Sequence, residues 1–122
     1  TPLAKVRGLG SAKEGADHFW KQRITAVANL LMIPIALIII VKLAGADYAT
    51  VKKSLSRPLV SILLLGIVMA GVMHMRLGMQ TIIEDYVSSE GRKIALLMLN
   101  TFFSILIAIA CVFSVFKLGF GA

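Results

Sequence analysis

Three long stretches without a charged residue constrain the fold of this chain more than any other feature of its sequence. They cover residues 24–41, 58–75 and 94–116, and each is close to the roughly 20 apolar residues that a helix needs to cross a bilayer. A helix satisfies all of its backbone hydrogen bonds within the segment, which the hydrocarbon core demands. The sequence therefore predicts an all-α integral membrane protein with three transmembrane helices.

The basic residues lie mainly at the ends of these stretches. A net charge of +7 in a soluble protein would suggest a nucleic-acid partner, but this distribution is typical of membrane topology. The side that holds the N-terminus carries eight basic residues, namely Lys5, Arg7, Lys13, Lys21, Arg23, Arg76, Arg92 and Lys93. The opposite side carries five, namely Lys42, Lys52, Lys53, Arg57 and Lys117. We expect no nucleic-acid partner, and we expect the N-terminus to face the cytoplasm or the mitochondrial matrix.

Residues 1–16 are basic and lack apolar periodicity, so we expect a surface segment without a stable helix. Asp17 is the expected N-cap of the first helix, because its carboxylate can accept hydrogen bonds from the first turn. Residues 17–122 then form the membrane domain, with spans at about 20–43, 58–83 and 93–117. We expect no secretory signal peptide. The single Cys111 cannot form a disulfide within the chain, and we interpret it as a packing residue.

Two cations occupy an unfavourable place in the first helix. Lys21 and Arg23 lie near its N-terminus, where the helix dipole is positive and disfavours cations. We therefore expect anionic partners for both. Lipid phosphate is one possibility, and the carboxylate of a cofactor lying at that depth is another.

His74 lies deep in the second apolar stretch. An ionisable side chain in hydrocarbon is costly unless it is paired, so it is a functional candidate. Gly71 and Gly78 fall on the same helical face, one turn before and one turn after His74, and this face leaves room for a flat macrocycle. A metal, a proton relay and a hydrogen bond to another helix are all possible partners. The structural alternative is that the glycines only permit close helix packing.

Asp85 and Tyr86 follow at the end of the same helix. Asp85 is eleven residues beyond His74, which returns to nearly the same face about 16 Å along the axis. The Tyr86 phenol can donate a hydrogen bond to a carbonyl at the membrane surface, as a quinone requires. The alternative is an ordinary solvated helix end with an interfacial tyrosine.

The order and spacing of His74, Gly78, Asp85 and Tyr86 resemble the hydrophobic membrane-anchor family of succinate dehydrogenase, respiratory complex II. The N-terminal part is similar to the alphaproteobacterial and mitochondrial-type branch of that family. The matching residues are Gly-Ser-Ala-Lys-Glu-Gly at 10–15, His-Phe-Trp at 18–20 and Gln-Arg-Ile-Thr-Ala at 22–26. Three spans in a chain of this length also agree, so the resemblance covers essentially the whole sequence.

The resemblance implies a subunit of an enzyme complex in a bacterial inner or mitochondrial inner membrane. Its partners would be a flavoprotein, an iron-sulfur subunit and a cytochrome b membrane subunit, against which the three helices pack and with which this chain shares one haem b. It implies that His74 is an axial haem ligand, that Arg23 lies near the haem propionates, and that Tyr86 and Asp85 belong to a ubiquinone site. The role of His18 is left open, and the chain holds no flavin or iron-sulfur ligand set.

Two other functions remain open. The first is a small non-redox membrane protein, such as a transporter component in which His74 and Asp85 relay protons. The second is the haem-free anchor of a related fumarate reductase.

Overall fold

Long helices make up nearly all of the described chain. The computed structural model describes residues 12–121, with side chains from residue 15 onward. Helix α1 spans Ala12–Leu43, the short α2 spans Tyr48–Leu55, α3 spans Pro58–Tyr86 and α4 spans Glu90–Gly119. Within this range there is no strand. Three segments are long and apolar enough to cross a membrane, namely Gly15–Leu43, Pro58–Tyr86 and Glu90–Gly119. The prediction of three transmembrane helices is confirmed.

Local sequence signals explain where the helices end. After α1, Gly45 adopts a φ of 79°, which glycine tolerates better than any other residue. Asp47 caps α2, because its carboxylate accepts a hydrogen bond from the Thr50 backbone N–H at 3.1 Å. Pro58 is the first residue of α3, where its missing N–H costs no helical hydrogen bond.

The start of α1 differs from the expectation. The helix begins at Ala12, so Asp17 is an interior residue and the prediction that it is the N-cap is wrong. Its carboxylate instead pairs with Lys21 at 2.9 Å, one turn later, which is a favourable spacing on a helix surface. Residues 12–16 are therefore helical, contrary to the prediction of no stable helix in 1–16. The remainder of that predicted surface segment, residues 1–11, lies outside the described residues.

The connection after Gly45 also differs from the expected polar loop. It contains α2, which carries Val51 and Leu55 on one face and two lysines in its last turn, Lys52 and Lys53. At the other side of the bundle, α3 continues to Tyr86 and α4 starts at Glu90. Both helices therefore extend a few residues beyond the predicted spans, because a helix does not have to end where the hydrocarbon ends.

Helix α3 is the central element. It packs against α1 on one face and against α4 on another. Few of the described side chains are buried by this packing: Leu77, Ile83 and Val115 among the apolar residues, and Thr25 and Ser104 among the polar ones. Most large apolar side chains are exposed on the isolated chain. In a membrane such surfaces face lipid or other subunits. The exposed apolar faces of these helices therefore suit a protein that packs against a partner subunit.

Candidate functional site

The intramembrane His74 contacts a buried hydroxyl on the neighbouring helix. Its Nδ1 lies 3.0 Å from Oγ1 of Thr25 on α1, and Thr25 is only 6% exposed. The same hydroxyl lies 2.8 Å from the carbonyl oxygen of Lys21 and 3.1 Å from that of Gln22. Thr25 therefore connects the backbone of α1 to the imidazole of α3.

The distances fit a tautomer of His74 with its proton on Nδ1. A threonine hydroxyl has a single hydrogen, and in a helix it commonly donates to a carbonyl of the preceding turn, here Lys21 at 2.8 Å. With the hydroxyl in that orientation, Oγ1 accepts from the Nδ1–H of His74 at 3.0 Å. The lone pair of the imidazole then lies on Nε2, which makes no hydrogen bond within residues 15–121. A neutral imidazole with Nδ1 held by a neighbour and Nε2 free is the usual state of a metal ligand.

The two glycines on the face of His74 have different surroundings. A Cβ added at Gly71 would meet nothing within 4 Å, whereas one added at Gly78 would lie 3.9 Å from the side-chain nitrogen of Gln22. Gly78 therefore lies against α1, as close helix packing requires. The surface beside Gly71 is open, as a flat ligand at His74 requires.

Arg23 does not contact His74 within this chain. Arg23 lies two residues before Thr25, so the two side chains point about 160° apart around the α1 axis. The Arg23 guanidinium lies 4.8 Å from the centre of the Phe19 ring. Because Thr25 faces α3, Arg23 points almost directly away from α3. A ligand at His74 that reaches Arg23 would therefore have to extend around α1.

Tyr86 lies at one end of an apolar groove between α3 and α4. The groove has a volume of about 590 Å³ and is lined by Met75, Met79, Ile82, Ile83, Tyr86, Val87, Leu96, Leu99, Asn100 and Phe103. Tyr86 itself is 83% exposed, so its hydroxyl is free to meet a ligand at the mouth. Asp85 is also exposed, but it does not line the groove. His74 does not line the groove either.

Comparison with known protein families identifies the family of this chain. Residues 1–110 match the family described as succinate dehydrogenase/fumarate reductase transmembrane subunit. The chain belongs to this family.

Curated relatives agree with the family match, and each is named succinate dehydrogenase hydrophobic membrane anchor subunit. The protein from Rickettsia bellii is 35% identical over 117 residues, covering 96% of this chain and 94% of the relative. The protein from Paracoccus denitrificans is 29% identical over 122 residues, covering 100% of this chain and 94% of the relative. No solved structure matches the chain. The resemblance to the alphaproteobacterial branch of the succinate dehydrogenase anchors is confirmed.

The sequence interpretation missed the polar residues of α1 that face α3 in this succinate dehydrogenase anchor. His18, Gln22 and Thr25 form a polar stripe on the face of α1 that meets α3. Their spacing of four and three residues is the periodicity of one helix face, and it was present in the sequence. Without knowledge of which face meets α3, however, that stripe could equally have lined water or another subunit.

A second pocket lies between α1 and α3. It is lined by Asp17, His18, Lys21, Met73, Arg76, Leu77 and Gln80, with a volume of about 310 Å³. His18 is one of the residues that line this pocket. Its Nε2 is buried without a hydrogen-bond partner among the described residues, and it lies about 10 Å along α1 from Thr25, so it cannot share a ligand atom with His74.

Proposed function

We propose that this chain, as the membrane anchor of a succinate:ubiquinone oxidoreductase, supplies one axial ligand of a haem b and part of the ubiquinone-reduction site. The observation that carries the proposal is the hydrogen bond of His74 Nδ1 to the buried Thr25 hydroxyl, at 3.0 Å. A bond of this kind fixes the orientation of a ligating imidazole and raises its basicity. In the tautomer with its proton on Nδ1, Nε2 is the atom that would bind iron.

The open surface beside His74 suits a haem. Gly71 leaves space next to the imidazole, so a planar macrocycle can approach α3 closely. Arg23 lies two residues before Thr25 near the start of α1, and its guanidinium would pair with the propionates. One histidine fills one axial position, so the second ligand would come from the partner cytochrome b subunit. When bound, the haem would supply a one-electron carrier.

The groove that ends at Tyr86 suits ubiquinone. Its lining is almost entirely apolar, which fits an isoprenoid tail, and the Tyr86 hydroxyl at the mouth can donate to a quinone carbonyl. Such a donor favours the negative charge that develops on the oxygen during reduction. Asp85 is the neighbouring acidic group and would assist proton delivery from water. Electrons would arrive from the iron-sulfur subunit, and the flavoprotein subunit would oxidise succinate.

The distribution of charge supports an orientation for this assembly. The start of α1, the end of α3 and the start of α4 carry more basic residues than the α2 end, and basic segments stay on the cytoplasmic or matrix side. Tyr86 would then face the side on which the two soluble subunits bind. The chain itself would reside in a bacterial inner membrane or in a mitochondrial inner membrane.

The haem assignment is tested with the complex purified together with its partner subunits. His74→Ala should lose the b-type Soret and α bands, because no other described side chain offers an imidazole at that position. His18→Ala is the matched control and should retain the bands. Unchanged haem occupancy in His74→Ala would overturn the ligand assignment, and absence of b-type bands in the unmodified complex would favour a haem-free anchor.

The quinone assignment is tested by steady-state kinetics of the same complex. Tyr86→Phe removes a single hydroxyl, and loss of one hydrogen bond to the quinone should lower ubiquinone reduction by roughly ten-fold. Succinate oxidation with an artificial acceptor should not change. Tyr48→Phe, at the opposite end of the helix bundle and 79% exposed, is the control. Equal ubiquinone reduction by Tyr86→Phe and the unmodified complex would refute the assignment.

A further inference from the structure

Arg76 is a charged side chain in the interior of helix α3, directly after the uncharged stretch 58–75. It lies ten residues before the end of α3 at Tyr86 and is exposed on the isolated chain. Within the part of the chain whose side chains are described, the ion pairs are Asp17 with Lys21 and Glu90 with Lys93, so no carboxylate of that part pairs with Arg76. A basic side chain at the edge of the hydrocarbon is stabilised by an anionic neighbour.

The pocket between α1 and α3 is the surface that Arg76 shares with Lys21. The charge of Lys21 is balanced by Asp17 at 2.9 Å, whereas the charge of Arg76 is not balanced within the described residues. The pocket therefore carries a net charge of about one positive unit at neutral pH, which matches one phosphodiester.

Two further properties of the pocket indicate the class of ligand. His18 Nε2 is buried without a partner among the described residues, so a polar atom is available at the wall. Met73 and Leu77 line the same pocket and supply apolar surface beside the polar groups. A free inorganic anion gains no stabilisation from apolar contacts, whereas a phospholipid has both a charged phosphate and apolar chains.

We propose that this pocket binds the phosphate of an anionic phospholipid. Arg76 and Lys21 provide the positive charge, His18 Nε2 contributes a polar contact, and Met73 and Leu77 contact the lipid below its headgroup. Basic pockets between membrane helices are suited to acidic headgroups. Neither His74 nor Tyr86 lines this pocket, so the proposal does not depend on haem at His74 or on quinone at Tyr86.

Native mass spectrometry of the intact complex tests the proposal. The complex is delipidated in a neutral detergent and titrated with dioleoyl phosphatidylglycerol, and separately with dioleoyl phosphatidylcholine and with sodium phosphate. The unmodified complex should bind phosphatidylglycerol in preference to phosphatidylcholine, and sodium phosphate should compete weakly. Arg76→Gln should weaken the phosphatidylglycerol adduct by roughly five-fold, the effect of one basic residue near a lipid surface.

Two other variants keep the result interpretable. Arg92→Gln removes an exposed arginine at the same end of the bundle that does not line the pocket, and it should bind lipid as the unmodified complex does. Lys21→Gln leaves α3 unchanged and should also weaken the adduct, which keeps the test valid if Arg76→Gln does not assemble. Equal binding by the Arg76, Lys21 and Arg92 variants would overturn the proposal. Tight competition by sodium phosphate would show that the pocket binds a free anion and not a lipid. Equal binding of phosphatidylglycerol and phosphatidylcholine would show that the pocket does not select an anionic headgroup.

Discussion

Replacing Thr25 with valine removes the acceptor for His74 Nδ1 while keeping nearly the same side-chain shape. Thr25 is 6% exposed, so water has little access to replace the lost hydroxyl. A buried N–H without its partner costs about 1–3 kcal/mol. Loss of a partner that holds a metal-ligating histidine typically lowers metal affinity by about 10–100-fold. The two estimates agree, and we expect haem affinity to fall within that range in Thr25→Val.

The assay is a haem titration of the complex prepared without haem, followed by the Soret absorbance. Thr25→Ser keeps the hydroxyl and should bind haem as the unmodified complex does. A redox titration gives an independent readout, because a less basic imidazole stabilises ferric iron less and raises the midpoint potential. A ten-fold difference between ferric and ferrous affinities corresponds to a rise of about 59 mV. If valine and serine variants have the same affinity and potential as the unmodified complex, the role of Thr25 is refuted.

Two predictions concern the connection between α1 and α3. Gly45→Ala should destabilise the complex by about 1 kcal/mol, because the φ of 79° disfavours a side chain. Gly15→Ala in α1 is the control and should be neutral or stabilising. Chemical unfolding in detergent compares the two variants, and equal changes in stability would contradict the argument. The hydrogen bond from Thr50 lowers the pKa of Asp47, so the cap stabilises α2 above the ordinary aspartate pKa and this contribution is lost as pH falls through the lowered value. An NMR titration of the Thr50 amide should show that loss as a pH-dependent shift. Asp47→Asn should abolish the pH dependence, and a pH-independent Thr50 amide in the unmodified chain would contradict the prediction.

The transmembrane helices could be predicted from the sequence because their cause is local. A stretch of about 20 apolar residues has few alternatives to a helix in a bilayer. The start of α1 could not be predicted with the same certainty, because capping competes with helix extension at a cost of only about 1 kcal/mol. Asp17 suits an N-cap, but the same carboxylate also pairs with Lys21. Such small differences decide helix ends.

The candidate site was only partly predictable, because its residues come together through packing. His74 could be selected from its isolation among apolar residues, and Tyr86 from its place at a helix end. The Thr25 contact could not, since 49 residues separate the partners and the facing sides of α1 and α3 are set by their tertiary contact. In the sequence, Arg76 served only to predict the membrane topology. Its pocket could not be predicted, because the pocket is formed by side chains of both α1 and α3.

The polar face of α1 also has a consequence for biosynthesis. Thr25, Gln22 and His18 find their neighbours only when α3 is in place, and α1 is synthesised first. At about 5–20 residues per second, the ribosome needs a few seconds to add the 49 residues that separate Thr25 from His74. During that interval the newly inserted helix exposes the polar face to lipid, to water or to the insertion machinery. Substitutions that make this face more polar should therefore reduce the yield of inserted protein before they affect the finished complex.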